Sequence, residues 1–257
     1  VQAGLGDLVR VLREQRVKSV AIPPLGCGLG GLNWAVVRPL IEAALAVVPD
    51  VEVLLYEPAG APKAGEMVNR RVAPKMTLGR AALLALMGRY LRSLMDDSIS
   101  LLEIHKLLYF LQECGQPLNL KYSKGTYGPY AENLRHVLKD MEGHYTVGFG
   151  DGTDRPDTQI EPKDDAIEQG EKFLAMDRAT LGRFERVGKL ISGFETPFGM
   201  ELLATVHWVV TREDARDLDA AVRLTHAWGR RKEMFTGEQI KVALARLATE
   251  GWLLEMR

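Results

Sequence analysis

Ile22-Pro23-Pro24-Leu25-Gly26-Cys27-Gly28-Leu29-Gly30-Gly31-Leu32-Asn33-Trp34 joins a run rich in β-branched residues, Val17 to Ile22, to an amphipathic stretch that opens at Trp34. Glycines at 26, 28, 30 and 31 let backbone N–H groups approach a diphosphate where a Cβ would block the way. A helix starting at Trp34 adds its positive end. The stretch therefore reads as a phosphate cradle. Working outward, Leu5, Leu8, Val9, Val11 and Leu12 predict a helix over residues 2–16. Val17 to Ile22 is a strand that Pro23-Pro24 stops, and Asn33 is placed to cap a helix running to about Val48, with Pro39 kinking or delaying its start. Val51 to Tyr56 is a second buried strand. Helix, strand, loop, helix, strand implies an α/β unit with two parallel strands.

Beyond Glu57 the pattern changes. Pro58, Gly60, Pro62, Gly65 and Pro74 interrupt a stretch without apolar period, so residues 1–58 form one domain, 59–76 a linker and 77–257 a second, mainly helical domain. Thr77 caps a helix to about Asp96, and Ser98 or Ser100 starts another that ends before Gly115. Leu118 to Tyr127 alternates as a hairpin arm, Gly128-Pro129 turns into a helix from Tyr130 to about Glu142, and Tyr145 to Phe149 is a short strand. Residues 150–163 read as a polar loop. Helices follow over about 164–175, 177–193, 197–211, 214–228 and 236–250, with Gly251 ending the last.

A formal net charge of −1 excludes a generally basic nucleic-acid binder, and no apolar run approaches the roughly 20 residues of a membrane span. Cys27 and Cys114 have neither metal-ligand nor disulfide-framework spacing, which suits a reducing cytoplasm. The histidines (105, 136, 144, 207 and 226) show no metal-binding spacing either. There is no secretory signal pattern; the chain opens on Val1 with a helix under way, which gives the expectation of a fragment of something longer.

Two chemistries suit the loop. Gly26-Cys-Gly-Leu-Gly-Gly31 matches G-x-G-x-x-G, with Glu57 where a dinucleotide site places its ribose-binding carboxylate. Against an NAD-binding Rossmann reading, the prolines delay the glycines, the helix opens after the motif, and only two strands precede the helical region. The second chemistry comes from resemblance: strand, P-P-L-G-C-G-L-G-G-L-N-W, helix and final strand resemble the substrate loop of macrodomains, in the DNA ADP-ribosyl glycohydrolase branch of the DarG antitoxins. By that resemblance the amides of Gly26, Cys27, Gly28, Leu29, Gly30, Gly31 and Leu32 wrap the diphosphate and distal ribose of ADP-ribose. The family's adenosine loop and catalytic lysine would lie upstream of Val1. Lys18 opens the strand on the wrong side of the helix, and Gly30 stands where some relatives carry an acid. The fold class implied is an α/β macrodomain remnant of parallel strands with helices, followed by a mainly helical domain with a short hairpin. On that reading the chain holds no catalytic residue, no cofactor and no metal, and does not hydrolyse ADP-ribosyl bonds unaided.

In the second region, Lys106-Leu-Leu-Tyr-Phe110 and Tyr127-Gly-Pro-Tyr130-Ala-Glu-Asn-Leu134 resemble the signatures of the SocA-like, or Panacea, domain of antitoxins. The aromatic residues either stitch a helix to a hairpin or leave Lys124, Tyr127 and Tyr130 at a partner surface. From Asp140 to Glu171, ten acidic residues face only Arg155 and Lys163. Such a stretch is a solvated loop or an imitation of a phosphate backbone aimed at a basic cleft; Asp151, Asp154, Asp157, Glu161, Asp164 and Asp165 are its candidates. The order of the two halves resembles DarG proteins, which implies a DarT-type toxin and ADP-ribosylated single-stranded DNA as partners and no membrane. A different reading makes Thr236 to Glu250 the recognition helix of a winged-helix-like DNA-binding regulator, though Lys241 and Arg246 there are offset by Glu238 and Glu250.

Overall fold

In the computed structural model, residues 1–27, 30–58, 72–150, 155–163 and 165–253 are described. The chain divides into two units, Val1–Lys63 and Ala64–Arg257. In the first, helix α1 (Gln2–Glu14) turns Leu5, Val9 and Leu12 inward. Strand β1 (Ser19–Ile22), helix α2 (Trp34–Leu45) and strand β2 (Glu52–Leu55) follow, and the strands pair in parallel with Ser19 opposite Glu52 and Ile22 opposite Leu55. Pro39 lies inside α2 without ending it. Leu5, Leu12, Ile22, Val37, Ile41 and Leu45 close a small core. Each fully buried aliphatic contributes roughly 1.5–3 kcal/mol. The other face of the sheet stays open: Leu54 and Tyr56 are exposed.

The second unit is built around helices buried on nearly every side. Thr77 caps helix α3 (Leu78–Leu94), in which Ala81 to Met87 are all buried. Strand β3 (Ile99–Ser100) runs straight into helix α4 (Leu101–Glu113), where Ser100 and Glu103 form a reciprocal capping box and Leu101 to Leu111 are all buried. A hairpin of β4 (Tyr122–Gly125) and β5 (Gly128–Ala131) precedes helix α5 (Leu134–Met141), strand β6 (Thr146–Val147) and strand β7 (Gln159–Pro162). Helices α6 (Ala166–Leu174), α7 (Arg178–Ile191), α8 (Pro197–Glu213) and α9 (Leu218–Ala227), a 3₁₀ turn at Arg230–Met234, and helix α10 (Gly237–Thr249) complete it. Helices α3 and α6 approach closely because residue 170 is glycine: a Cβ there would lie 2.9 Å from Leu84 Cβ and 3.1 Å from the Ala81 carbonyl oxygen.

Three expectations are corrected. Gly128-Pro129 does not turn into a helix; Gly128 to Ala131 is the return arm of the hairpin, with Tyr122 opposite Ala131, and α5 waits until Leu134. The reason is Gly128, whose φ of +91° closes a tight loop that a side chain would strain. The stretch 150–163 is not all loop, since Gln159–Pro162 pairs antiparallel with both Ile99–Ser100 and Thr146–Val147, burying Ile160. After α8, Asp214 takes a left-handed conformation and stops the helix, and Asp217 caps α9 afresh. Most of the expected linker, 59–71, lies outside the described residues.

Candidate functional site

The glycine loop is pinched shut at its base. The Leu32 N–H donates to the Gly26 carbonyl over 2.9 Å and the Cys27 N–H to that of Pro24 over 3.1 Å. The closure demands glycine twice. Gly26 has a φ of +72° and a Cβ there would stand 2.6 Å from Leu32 Cδ1; a Cβ on Gly30 would stand 2.7 Å from the Gly26 carbonyl oxygen. Of the seven amides expected to face a diphosphate, those of Cys27 and Leu32 are thus taken within the loop, Gly28 and Leu29 lie outside the described residues, and those of Gly26, Gly30 and Gly31 have no partner among the described residues. Asn33 Oδ1 accepts from the Ala35 N–H over 2.9 Å and so opens α2 directly behind the loop. Glu57, the ribose-binding carboxylate of the dinucleotide reading, is instead tied to Arg38 at 2.6 Å.

In the second unit the two aromatic signatures meet. The Lys106 ammonium, fully buried, donates to the Pro129 carbonyl over 2.7 Å. Gly128 makes room for it: a Cβ there would sit 2.9 Å from Thr205 Oγ1 and 3.5 Å from Lys106 Cε. The Tyr109 hydroxyl reaches His207 Nδ1 at 2.8 Å, its ring meets Tyr122 edge-on, and Phe110 meets Trp252 edge-on. His105 stacks on Tyr130 with ring centroids 4.6 Å apart. Burial pushes the His105 and His207 imidazoles down to about 3 and Lys106 down to about 7, with the Lys232 charge adding to the shift on Lys106. Tyr109 and Phe110 are therefore core, whereas Tyr127 and Tyr130 are half-buried and Lys124 is exposed.

A relative from Thermus aquaticus named DNA ADP-ribosyl glycohydrolase is 44% identical over 253 residues, covering 98% of this chain and 69% of its own length. One of the same name from Mycobacterium tuberculosis is 42% identical over 263 residues, covering 96% of this chain and 73% of its own. This chain belongs to the DNA ADP-ribosyl glycohydrolase family. No protein-family model matches it. A DNA ADP-ribosyl transferase–DNA ADP-ribosyl glycohydrolase fusion protein of Thermosipho africanus is 40% identical over 58 residues, covering 23% of this chain and 15% of that one.

The acidic stretch of this family member is only partly open. Asp140 pairs with Arg80 at 3.1 Å, Glu171 with Arg92 at 2.9 Å and Asp157 with Arg155 at 3.1 Å; the Arg155 guanidinium holds the Asp157 carboxyl below its usual range. Asp165 accepts from Gln169 over 2.6 Å. Glu161 is exposed on β7 with no ion pair among the described residues. Asp151, Asp154 and Asp164 lie outside them. Among the described residues no His/Cys/Asp/Glu group could hold a metal ion, and no helix is long and apolar enough to cross a membrane.

Sequence reasoning missed Glu201. Its buried carboxylate takes Lys232 Nζ at 2.5 Å and Arg231 Nη2 at 3.1 Å, and Arg231 lies over the Tyr127 ring at 4.3 Å from its centroid. Trp228 donates its indole N–H to the Gly125 carbonyl over 2.9 Å, while Lys124 lies 4.5 Å from the Trp228 ring centroid and pairs with Glu213 at 2.6 Å. The hairpin is thus held from residues a hundred positions away, and no local spacing announces it. On α10, Lys241 lies near Glu238 and Arg246 near Glu250, with Ile240, Leu244 and Leu247 turned inward.

Proposed function

We propose that this chain works as a DarG-type antitoxin. Residues 1–58 form part of a macrodomain whose glycine loop, Gly26 to Leu32, holds the diphosphate of ADP-ribose on single-stranded DNA. Residues 77–257 bind and block a DarT-type DNA ADP-ribosyltransferase. The observation that carries the reading is the identity of 44% over 98% of the chain with a DNA ADP-ribosyl glycohydrolase, which spans the pinched loop and the Lys106/Tyr127–Tyr130 signatures alike. A transferase and a glycohydrolase joined in the Thermosipho fusion protein support a transferase as partner.

The acidic candidates Asp151, Asp154, Asp157, Glu161, Asp164 and Asp165 are the part of this proposal that meets a basic cleft built for DNA. Lys124, Tyr127 and Tyr130 border that contact; of the three only Lys124 is charged, and it is paired with Glu213. The glycohydrolase reaction belongs to the complete macrodomain; the Gly30 and Gly31 amides and the start of α2 supply anion contacts to it, and no proton-transfer step is assigned to this chain. Mixing the chain with a DarT-type toxin, NAD and single-stranded DNA tests the inhibitory half. DNA ADP-ribosylation falls to background at an equimolar ratio; unchanged transfer at excess chain rejects the reading. The DNA-regulator alternative would require duplex binding through α10, whose basic residues are each set beside a glutamate.

A further inference from the structure

Between α4 and the tip of the β4–β5 hairpin lies a cleft of about 280 Å³, walled by Leu101, Leu102, Pro156, Tyr127 and Tyr130, with Lys106 at its base. Its size is near the small end of the roughly 300–1,000 Å³ typical of ligand pockets, room for one planar ring. The wall is rigid where it matters. His105, kept neutral by burial, also lines the cleft and stacks on the Tyr130 ring, and Arg231 lies over that of Tyr127.

The charge beside this cleft does not balance. Arg231 and Lys232 share the single carboxylate of Glu201, and among the described residues Lys106 has only the Pro129 carbonyl as its hydrogen-bond acceptor. An ammonium has three donors and is costly to bury without acceptors. The depressed Lys106 is the consequence of that deficit, its shift caused by burial first and Lys232 second. A ligand bringing negative charge and ring acceptors would supply what is missing. Aromatic faces beside basic groups are the common platform for a single nucleic-acid strand.

We propose that the cleft is a binding site for one nucleotide of single-stranded DNA, its unstacked base against Tyr127 and Tyr130 and its phosphate toward Lys106. Only the choice of DNA rests on the family reading. Asp157, next to the Pro156 wall, is ion-paired with Arg155 at 3.1 Å, which partly offsets its repulsion of a phosphate. The site would let the helical unit hold the strand independently of the glycine loop.

The test is fluorescence anisotropy on the full chain with an unmodified, labelled oligothymidylate and an abasic strand of equal length. The base-bearing strand binds about tenfold more tightly or better, as expected for one stacked base. Tyr127→Ala removes that preference and Tyr127→Phe keeps it, with melting temperatures of both variants recorded. Lys106→Met lowers the slope of log K against log salt by about one contact. Lys241→Ala, on the exposed side of α10, leaves binding as it was. Equal affinity for the abasic strand, or an unaltered preference in a folded Tyr127→Ala protein, overturns the proposal. So does a Tyr127→Ala protein that loses the toxin but keeps the strand, which would make the cleft a protein-docking site. Because the strands carry no ADP-ribose and the strand-binding measurements use no toxin, failure of the antitoxin reading leaves those measurements intact.

Discussion

At the scale of single residues, Glu201 links α8 to the 3₁₀ turn and, through it, to the β4–β5 hairpin. It is buried between Lys232 and Arg231, and through Arg231 it fixes the ring of Tyr127. Breaking a buried pair by removing one partner strands the other charge, at about 3–5 kcal/mol. Glu201→Gln should therefore lower the unfolding free energy by that order in denaturant titration, whereas Glu238→Gln, at an exposed position on α10, should be near neutral. A second prediction concerns acid. His105 and His207 stay neutral in the fold down to about 3, while the unfolded imidazoles take up protons near 6.5. The unfolded state thus binds more protons between those values, and stability is lost as pH falls through that window, by about 1.4 kcal/mol per pH unit for each group, levelling off below it. Urea midpoints against pH should show this slope, and His207→Gln should reduce it. None of these partners was legible in the sequence, because Glu201 lies 31 positions from Lys232 and a lone buried glutamate in an apolar helix has no spacing to betray it.

At the scale of elements, what the sequence states locally is what it states well. Asn33 and Thr77 cap the helices expected of them, and of Ser98 and Ser100 it is Ser100 that caps the next, because an N-cap is a contact within three residues. Ser100→Ala should cost about 1 kcal/mol, read as a lower melting temperature without loss of helix content. The short strands were another matter. Ile99 meets Ile160 across sixty residues, and four residues ending in a proline, Gln159–Pro162, do not alternate long enough to be told from a loop. The helix expected straight after Gly128-Pro129 is a hairpin arm instead, Gly128 to Ala131. What decides is the left-handed Gly128, with Thr205 and Lys106 too close to admit a Cβ. Gly128→Ala should accordingly destabilise the fold by about 1–3 kcal/mol and loosen the Tyr127 side of the cleft.

At the scale of the whole molecule, the two units carry different parts of the account. The first is small, with a two-stranded parallel sheet whose outer face shows Leu54 and Tyr56. Its parallel strands and its cap were readable from the sequence. The pinch of the loop was readable only as a need for glycine, since the Gly26–Leu32 closure depends on the turn itself. The second unit holds most of the buried residues and the surface assigned to the toxin. Contact between an acidic segment and a basic cleft weakens with salt, and more so than an apolar contact would. Calorimetric titration of the full chain with a DarT-type toxin over a series of salt concentrations tests this claim most directly. The account predicts one-to-one binding that weakens as salt rises, with both affinity and salt slope reduced by the combined Asp157→Asn, Glu161→Gln and Asp165→Asn changes. Absence of binding at about 0.15 M ionic strength, or an affinity indifferent to both salt and those three changes, would contradict it.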